Sequence, residues 1–451
     1  METNIKKNQE YIVDIVDNGY QGEGIAKINN FTIFIQGAIK GEKIKILIIK
    51  VTSSHAYGKI LEIIKKSKYR EDTDCNVYSK CGGCNLRHMK YEYTLNVKKE
   101  IVQNCIYKQF VEKLKINNVI GMEKPIHYRN KLQYPLGEIN NKQVIGIYRN
   151  RTHEIIEVKE CFIQNKTCQK IANEIYEFIL QKNIKVYNEI NKTGIVRHIV
   201  IKIGVSTNEI MVILVLNKDS FTEEKKLVDI LTNKYPEIKT IVKNINNKDT
   251  NVILGNKNKI IYGNGFIYDK LGELKFKISP LSFYQVNPIQ TKILYDKAIE
   301  YAKLDKNDIV YDLYCGIGTI GLFASKHIKK LYGIEVVEDA IKDAKENAKI
   351  NNITNAEFLV GEVENILPEL VKKDIPNVVF VDPPRKGLDV KTIDILLNLK
   401  SKKIIYISCN PATLARDLKL LNKNYEIKEI QPVDMFPYTS HVECCVLLCL
   451  K

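Results

Sequence analysis

The chain has 451 residues, 45% hydrophobic and 27% charged, a length for about three domains and a balance that excludes a mostly disordered chain. Its 69 Lys and Arg against 53 Asp and Glu leave a formal charge of +16, which favours a polyanionic partner, most simply nucleic acid. No run of about 18 apolar residues marks a membrane span, and Met1–Glu10 is polar with no apolar signal core, so a cytoplasmic protein is expected.

Residues 9–65 read as short strands at Tyr11–Val16, Gly24–Lys27, Phe31–Ile35, Lys43–Val51 and Lys59–Ile64, separated by turns such as Asp17-Asn18-Gly19 and Lys40-Gly41-Glu42. That rhythm suggests a small OB-like β-barrel. Residues 66–89 hold Cys75, Cys81 and Cys84. Residues 90–117 read as a helix, with Tyr93, Val97, Ile101 and Cys105 four apart. Residues 125–270 alternate strands with helices, as in Gln143–Tyr148, Ile155–Val158, the helical Gln169–Gln181, Arg197–Ile203, Glu209–Leu216 and Lys239–Ile245, and predict an α+β domain. From about 290 the rhythm is β-α-β, with strands at Ile309–Leu313, Lys330–Val337, Ala356–Val360, Asn377–Val381 and Lys403–Ser408. Such alternation argues for a doubly wound, mostly parallel sheet. Residues 425–434 and 442–449 close the chain as an antiparallel pair.

Chemistry concentrates at the ends of these last strands. Asp312-Leu-Tyr-Cys-Gly-Ile-Gly-Thr319 joins a strand to a helix, and Gly316 and Gly318 let backbone approach a ligand closely. Glu335 ends the next strand, 19 residues after Gly316, where a carboxylate can accept from both hydroxyls of a ribose. There is no third fingerprint glycine and no P-loop Lys, and the acid ahead of the turn disfavours phosphate. The combination looks like a class I S-adenosylmethionine methyltransferase. Ser408-Cys409-Asn410-Pro411 ends another strand, so Cys409 points into the crevice, and the helix that follows is expected to lower its pKa. Asp382, in Val381-Asp-Pro-Pro-Arg385, faces the same crevice because the prolines stop the strand. Glu443 opens the last strand. Cys444, Cys445 and Cys449 read as core fillers. A thiolate, a carboxylate and a methyl donor suit one reaction: thiolate addition at C6 of uracil makes C5 nucleophilic, and a base later removes the C5 proton.

Cys75, Cys81 and Cys84 have the spacing C-x5-C-x2-C. A fourth thiolate must come from elsewhere, with Cys161 the best candidate and Cys168 the second. Four cysteines suit zinc or an iron–sulfur cluster, and spacing does not choose between them. Basic and aromatic residues interleave at His127-Tyr-Arg-Asn-Lys131 and Tyr148-Arg-Asn-Arg151, a composition suited to phosphates and splayed bases.

On Phe283-Tyr-Gln-Val-Asn287, Asp312 to Thr319, Asp382-Pro-Pro-Arg385, Ser408-Cys-Asn-Pro411 and His441-Val-Glu443, the sequence resembles the RNA uracil-C5 methyltransferase family of the RumA/TrmA type. The resemblance implies Cys409 as nucleophile and Glu443 as base. It also implies Gln285, Tyr314, Thr319, Glu335, Glu362 and Asp382 around S-adenosyl-L-methionine and the target base. The cysteine pattern is similar to the 4Fe–4S site of the 23S rRNA branch, with Cys161 as fourth ligand. Gly22-Glu-Gly24 and Gly37-Ala-Ile-Lys-Gly41 resemble that branch's TRAM domain. The implied organisation is a TRAM-like barrel over 1–65, a central RNA-binding domain with the iron–sulfur cluster over 66–89 and 125–270, and a Rossmann-like methyltransferase domain over 90–124 and 271–451. The expected partner is 23S rRNA, with the target base flipped from its stack, no membrane and no obligate protein partner. A tRNA T-loop substrate and an inactive RNA-binding iron–sulfur protein are the alternatives. A DNA cytosine methyltransferase is disfavoured, because Cys409 precedes Asn-Pro rather than following Pro.

Overall fold

The computed structural model describes residues 5–150 and 152–451. Arg151 of the second basic run and the first four residues of the polar N-terminal segment lie outside the described residues.

The first layer is a six-stranded sheet curled on itself. In Phe31–Ile35 burial alternates strictly, so Phe31, Ile33 and Ile35 are buried while Thr32 and Phe34 face outward. Ile33, Ile35, Ile44, Ile46 and Ala56 fill the interior without exposure. The strand expected over Lys59–Ile64 is longer, His55–Lys65, and Asp17–Asn18, expected as a turn, adds a two-residue strand.

The central sheet has seven strands. Val196–Ile203 and Ile210–Leu216 are buried at every position, as β-branched runs at a sheet centre must be. The helix Lys166–Gln181 packs on Val196–Ile203 and begins at Asn165, whose side chain accepts from the amides of Thr167 and Cys168.

The helix expected over 90–117 ends at Tyr107. Beyond it the chain runs extended beside the C-terminal sheet, where Ile116 bridges Ile430 and Ile120 bridges Val433. Val102 and Ile106 of the helix join the core under that sheet.

The C-terminal sheet has the spatial order Ala356–Val360, Lys330–Glu335, Ile309–Leu313, Val378–Val381, Lys403–Ser408, Glu443–Leu450, Tyr425–Val433. The first five strands are parallel, and Glu443–Leu450 runs antiparallel to both its neighbours. This is a Rossmann-like, doubly wound sheet. Its strand order reverses between Ile309–Leu313 and Val378–Val381, which is where such sheets open a ligand crevice beyond their carboxyl ends. Among the described residues no helix is long and apolar enough to cross a membrane.

Candidate active site

The glycine turn leaves Ile309–Leu313 through three left-handed residues, Tyr314 (φ 65°), Gly316 (φ 55°) and Gly318 (φ 80°). A side chain at Gly318 would meet the Phe358 ring at 3.0 Å, whereas nothing stands within 4 Å of the corresponding position at Gly316. The turn is thus packed on one face and open on the other. Asp312 accepts from the amide of Gly321 at 2.8 Å through one oxygen. Its other carboxyl oxygen is buried with no partner among the described residues. Burial, with lesser repulsion from Asp382 and Glu335, pushes Asp312 up to about 7.

Beside the turn lies a cavity of about 50 Å³, lined among others by Gln285, Tyr295, Tyr314, Gly316, Thr319 and Asp382. Four of the six expected donor-binding residues therefore share one wall. Asn287 caps the helix Pro288–Ala302 through Gln290, which fixes the Gln285 loop, and Thr319 shares a 3.2 Å hydrogen bond with the buried Tyr295. Glu335 lies beside the cavity and accepts from the amides of Gly316 at 3.2 Å and Val337 at 2.9 Å. Glu362 does not reach the cavity. It is exposed at the start of the helix Val363–Lys373, and Asn365 donates to it at 2.8 Å.

Cys409 falls between the strand Lys403–Ser408 and the helix Pro411–Leu421. Asn410 caps that helix through Ala412, and its amide nitrogen donates to the Arg385 carbonyl at 3.0 Å, tying the two loops together. Glu443 is buried at the start of the last strand. Burial, and secondarily Asp382, push it up to about 8, while Arg385 opposes the shift. Burial also brings Asp382 up to about 7.

The expected lowering of the Cys409 thiol is not found. Burial, then the charges of Glu443 and Asp382, push it up to about 11. Desolvation and two nearby carboxyls outweigh the partial charge of one helix end, whose first free amide already bonds Asn410.

Cys409 opens onto a second, larger cavity of about 720 Å³. One wall carries Arg385, Asn410 and His441. The barrel contributes Tyr20, Phe34, Lys50 and Tyr57 to the same lining. Sequence reasoning missed Tyr20, which donates to the Asn410 side chain at 3.0 Å across 390 residues of chain. No local pattern announces such a contact.

Cys75, Cys81, Cys84 and Cys161 all line one further cavity of about 200 Å³. Cys168 does not, being buried in the central core. Burial raises the thiols of Cys81, Cys161 and Cys84, the last to about 12, and neighbouring cysteines add to each shift. Among the described residues no three His, Cys, Asp or Glu side chains close on a single metal position. The thiols therefore surround a space and do not, as they stand, form a closed ligand set.

The run His127–Lys131 is not the RNA-facing surface its composition suggested. Tyr128 is buried and donates to the Pro437 carbonyl, Asn130 donates to the Gln285 carbonyl, and Arg129 lines the cysteine cavity. The run is a joint between the central sheet and the catalytic loops. Of the second run, Asn150 lines the large cavity.

The chain matches the family model for tRNA (uracil-5-)-methyltransferase over residues 90–451 and that for the TRAM domain over 6–61. It is 48% identical to an uncharacterized RNA methyltransferase of Clostridium acetobutylicum, covering 98% of each chain. It is 43% identical to one from Oceanobacillus iheyensis, covering 99% of this chain and 98% of the relative. Among solved structures it is similar to the Pyrococcus abyssi tRNA (uracil-54, C5)-methyltransferase in complex with S-adenosyl-L-homocysteine, at 26% identity and TM-score 0.79, covering 97% of this chain and all of that one.

Proposed function

The chain belongs to the tRNA (uracil-5-)-methyltransferase family and carries a TRAM domain, and on that premise we propose that it methylates C5 of a uridine in 23S rRNA through a covalent adduct at Cys409. The observation that carries the reading is that a carboxyl lining one cavity lies close enough to act on the thiol lining the other. Asp382 lines the small cavity by the glycine turn, Cys409 lines the large one, and the charges of Asp382 and Glu443 both act on the Cys409 thiol.

S-adenosylmethionine, when bound, supplies an electrophilic methyl. The unpartnered oxygen of Asp312 and the open face of Gly316 suit its polar part, with Gln285, Tyr314, Thr319 and Asp382 along its length and Glu335 at its rim. Glu362 is proposed only for the outer edge of that site. On the RNA side, Cys409 loses its proton and adds to C6, moving the C5–C6 electrons into an enolate. C5 then takes the methyl. The Glu443 carboxylate removes the C5 proton, the enolate re-forms, and the C6–sulfur bond breaks to release Cys409. Uridine is the only group that gains carbon, and one proton leaves with each turnover.

Cys75, Cys81, Cys84 and Cys161 are proposed to hold a 4Fe–4S cluster. A single zinc needs four sulfurs within about 2.3 Å of one point, whereas these thiols surround a cavity. Methyl transfer moves no net electrons, so such a cluster would brace the fold. Anaerobic protein with about four irons per chain and broad visible absorption supports it; zinc with no such absorption refutes it.

A tRNA substrate is the second reading. It is favoured by the Pyrococcus abyssi tRNA enzyme, whose likeness extends over 97% of this chain, barrel included. The test is methyl transfer from labelled donor to separate 23S rRNA and tRNA transcripts, with Cys409→Ala as control. Label on 23S rRNA alone supports the first reading, and label on tRNA alone replaces it with the second. Label from the Ala variant overturns the mechanism.

A further inference from the structure

The barrel wall of the large cavity carries an aromatic cluster that the methyl-transfer reading does not use. Phe31–Ile35 and His55–Lys65 pair in parallel, with Phe34 opposite Tyr57. Ile33, Ile35 and Ala56 point into the barrel, and a side chain at the buried Gly58 would crowd Ile46 at 3.1 Å. The alternation therefore forces Phe34, His55 and Tyr57 outward on one face. Their ring centroids lie 5.5 Å (Phe34 to His55), 6.0 Å (Phe34 to Tyr57) and 5.1 Å (His55 to Tyr57) apart. His55 is held by Tyr57 at 3.2 Å and by Ser54 at 2.9 Å, so the cluster is positioned before any ligand arrives. Phe34 and Tyr57 are half-buried and line the same cavity as Cys409. Lys50, which pairs with Tyr57 between strands, and Arg385 line that cavity too.

We propose that Phe34 and Tyr57, braced by His55, form a second base-binding site, which stacks an unpaired nucleobase of the RNA strand whose neighbouring uridine reaches Cys409. The proposal rests on an RNA occupying the large cavity. Aromatic rings that line a cavity can stack on the face of any base, and only an unpaired base exposes its own. Lys50 and Arg385 supply positive charge for the phosphates on either side. A base held on the barrel would also keep the extruded uridine from returning to its stack, which assigns the barrel part of the flipping work.

The test measures binding apart from turnover. A fluorescein-labelled, unstructured oligoribonucleotide of about 12 residues is titrated with the full chain, followed by anisotropy. Joint Phe34→Ala and Tyr57→Ala is expected to weaken binding roughly ten- to hundred-fold. Tyr57→Leu, which keeps apolar bulk without the ring, should lose a large part of that affinity, and Tyr57→Phe should lose little. S-adenosylhomocysteine affinity should be unchanged in all of them. A second readout uses wild-type protein alone: 2-aminopurine placed along the oligonucleotide should be quenched at one position. Unchanged RNA affinity in the double variant, equal affinity for Tyr57→Leu and wild type, or no quenching at any position would each overturn the proposal. Should wild-type protein methylate neither RNA, the uridine reading fails, while the binding arms still decide this one.

Discussion

Cys409 is placed by regular backbone, with the strand Lys403–Ser408 before it and the helix Pro411–Leu421 after it. Cys75, Cys81 and Cys84 sit in a stretch, Lys66 to Lys90, that among the described residues forms neither helix nor strand. Side chains do there what the ladder does at Cys409. Arg87 donates to both oxygens of Asp74, at 2.7 and 3.0 Å, and its guanidinium lies 4.7 Å from each of the Phe162 and Tyr438 ring centres. Asn85 exchanges hydrogen bonds with Ser440, donating to its hydroxyl at 2.9 Å and accepting from its amide at 2.7 Å. The first site is set by a strand that is hydrogen-bonded on both sides. The second depends on a few polar ties, and those ties end on the loop that leads into Glu443.

The sharpest way to break this comparison is at the thiols themselves. Cys409→Ala should cut methylation by on the order of 10⁴-fold or more, with the melting temperature nearly unchanged, because no backbone pairing depends on the sulfur. A variant that retains methyl transfer would remove the nucleophile from the mechanism. Replacing Cys84 should do the reverse, lowering the melting temperature more than the turnover of the surviving folded fraction. Next in size, Glu443→Gln should slow product release by about 10²- to 10⁴-fold. A methylated RNA–protein adduct should then persist on a denaturing gel. Free 5-methyluridine at the wild-type rate would assign the base to another group.

The same contrast decides what could be read in advance. The strand-end site was legible because short segments carry it: an acid, two glycines and an acid on successive strands need no partner from afar to make sense. The cysteines were legible as a group, but their support was not. Arg87, Asn85 and Tyr20 act on residues hundreds of positions away, and nothing nearby marks them. His127–Lys131 misled for a related reason, since basic and aromatic side chains serve equally well as buried donors at a joint. In the fold, Lys131–Ile139 escaped notice because Pro135 and Gly137 disfavour a strand, until pairing with Val196–Ile203 overrides them. Lys257–Gly263 is exposed along nearly its whole length and so carries no apolar alternation. The thiol acidity was misjudged because a helix end shows in the sequence whereas burial does not.

A smaller effect should sharpen the link between the two regions. Arg87→Ala removes a charge-assisted pair and two ring contacts at once, and should destabilise the chain by about 1–3 kcal/mol. Because Tyr438 leads towards Glu443, turnover should fall as well, with S-adenosylhomocysteine affinity intact. Chemical denaturation and calorimetry check the two parts. A stability loss with unchanged turnover would show that the cysteine stretch does not support the catalytic loop.

The finest test is of pH, through the buried acids. Glu443 is raised to about 8, and Asp312 and Asp382 to about 7, in each case chiefly by burial. In an unfolded chain such groups ionise near pH 4. Between about pH 4 and 8 these three acids therefore hold protons in the native state that the unfolded state has released, and their contribution to stability falls as pH rises. The contribution is complete below the unfolded pKa and is lost on passing through the native one. Glu443→Gln removes one of these groups and leaves the others, so its melting temperature should decline less than that of wild type between about pH 5 and 8. Turnover moves the opposite way: Cys409 at about 11 and Glu443 at about 8 must both lose protons to act, so the rate should climb over the same interval. Parallel melting curves for variant and wild type would mean that Glu443 is already ionised in the folded protein, and that the carboxylate waits for the C5 proton without any prior loss of its own.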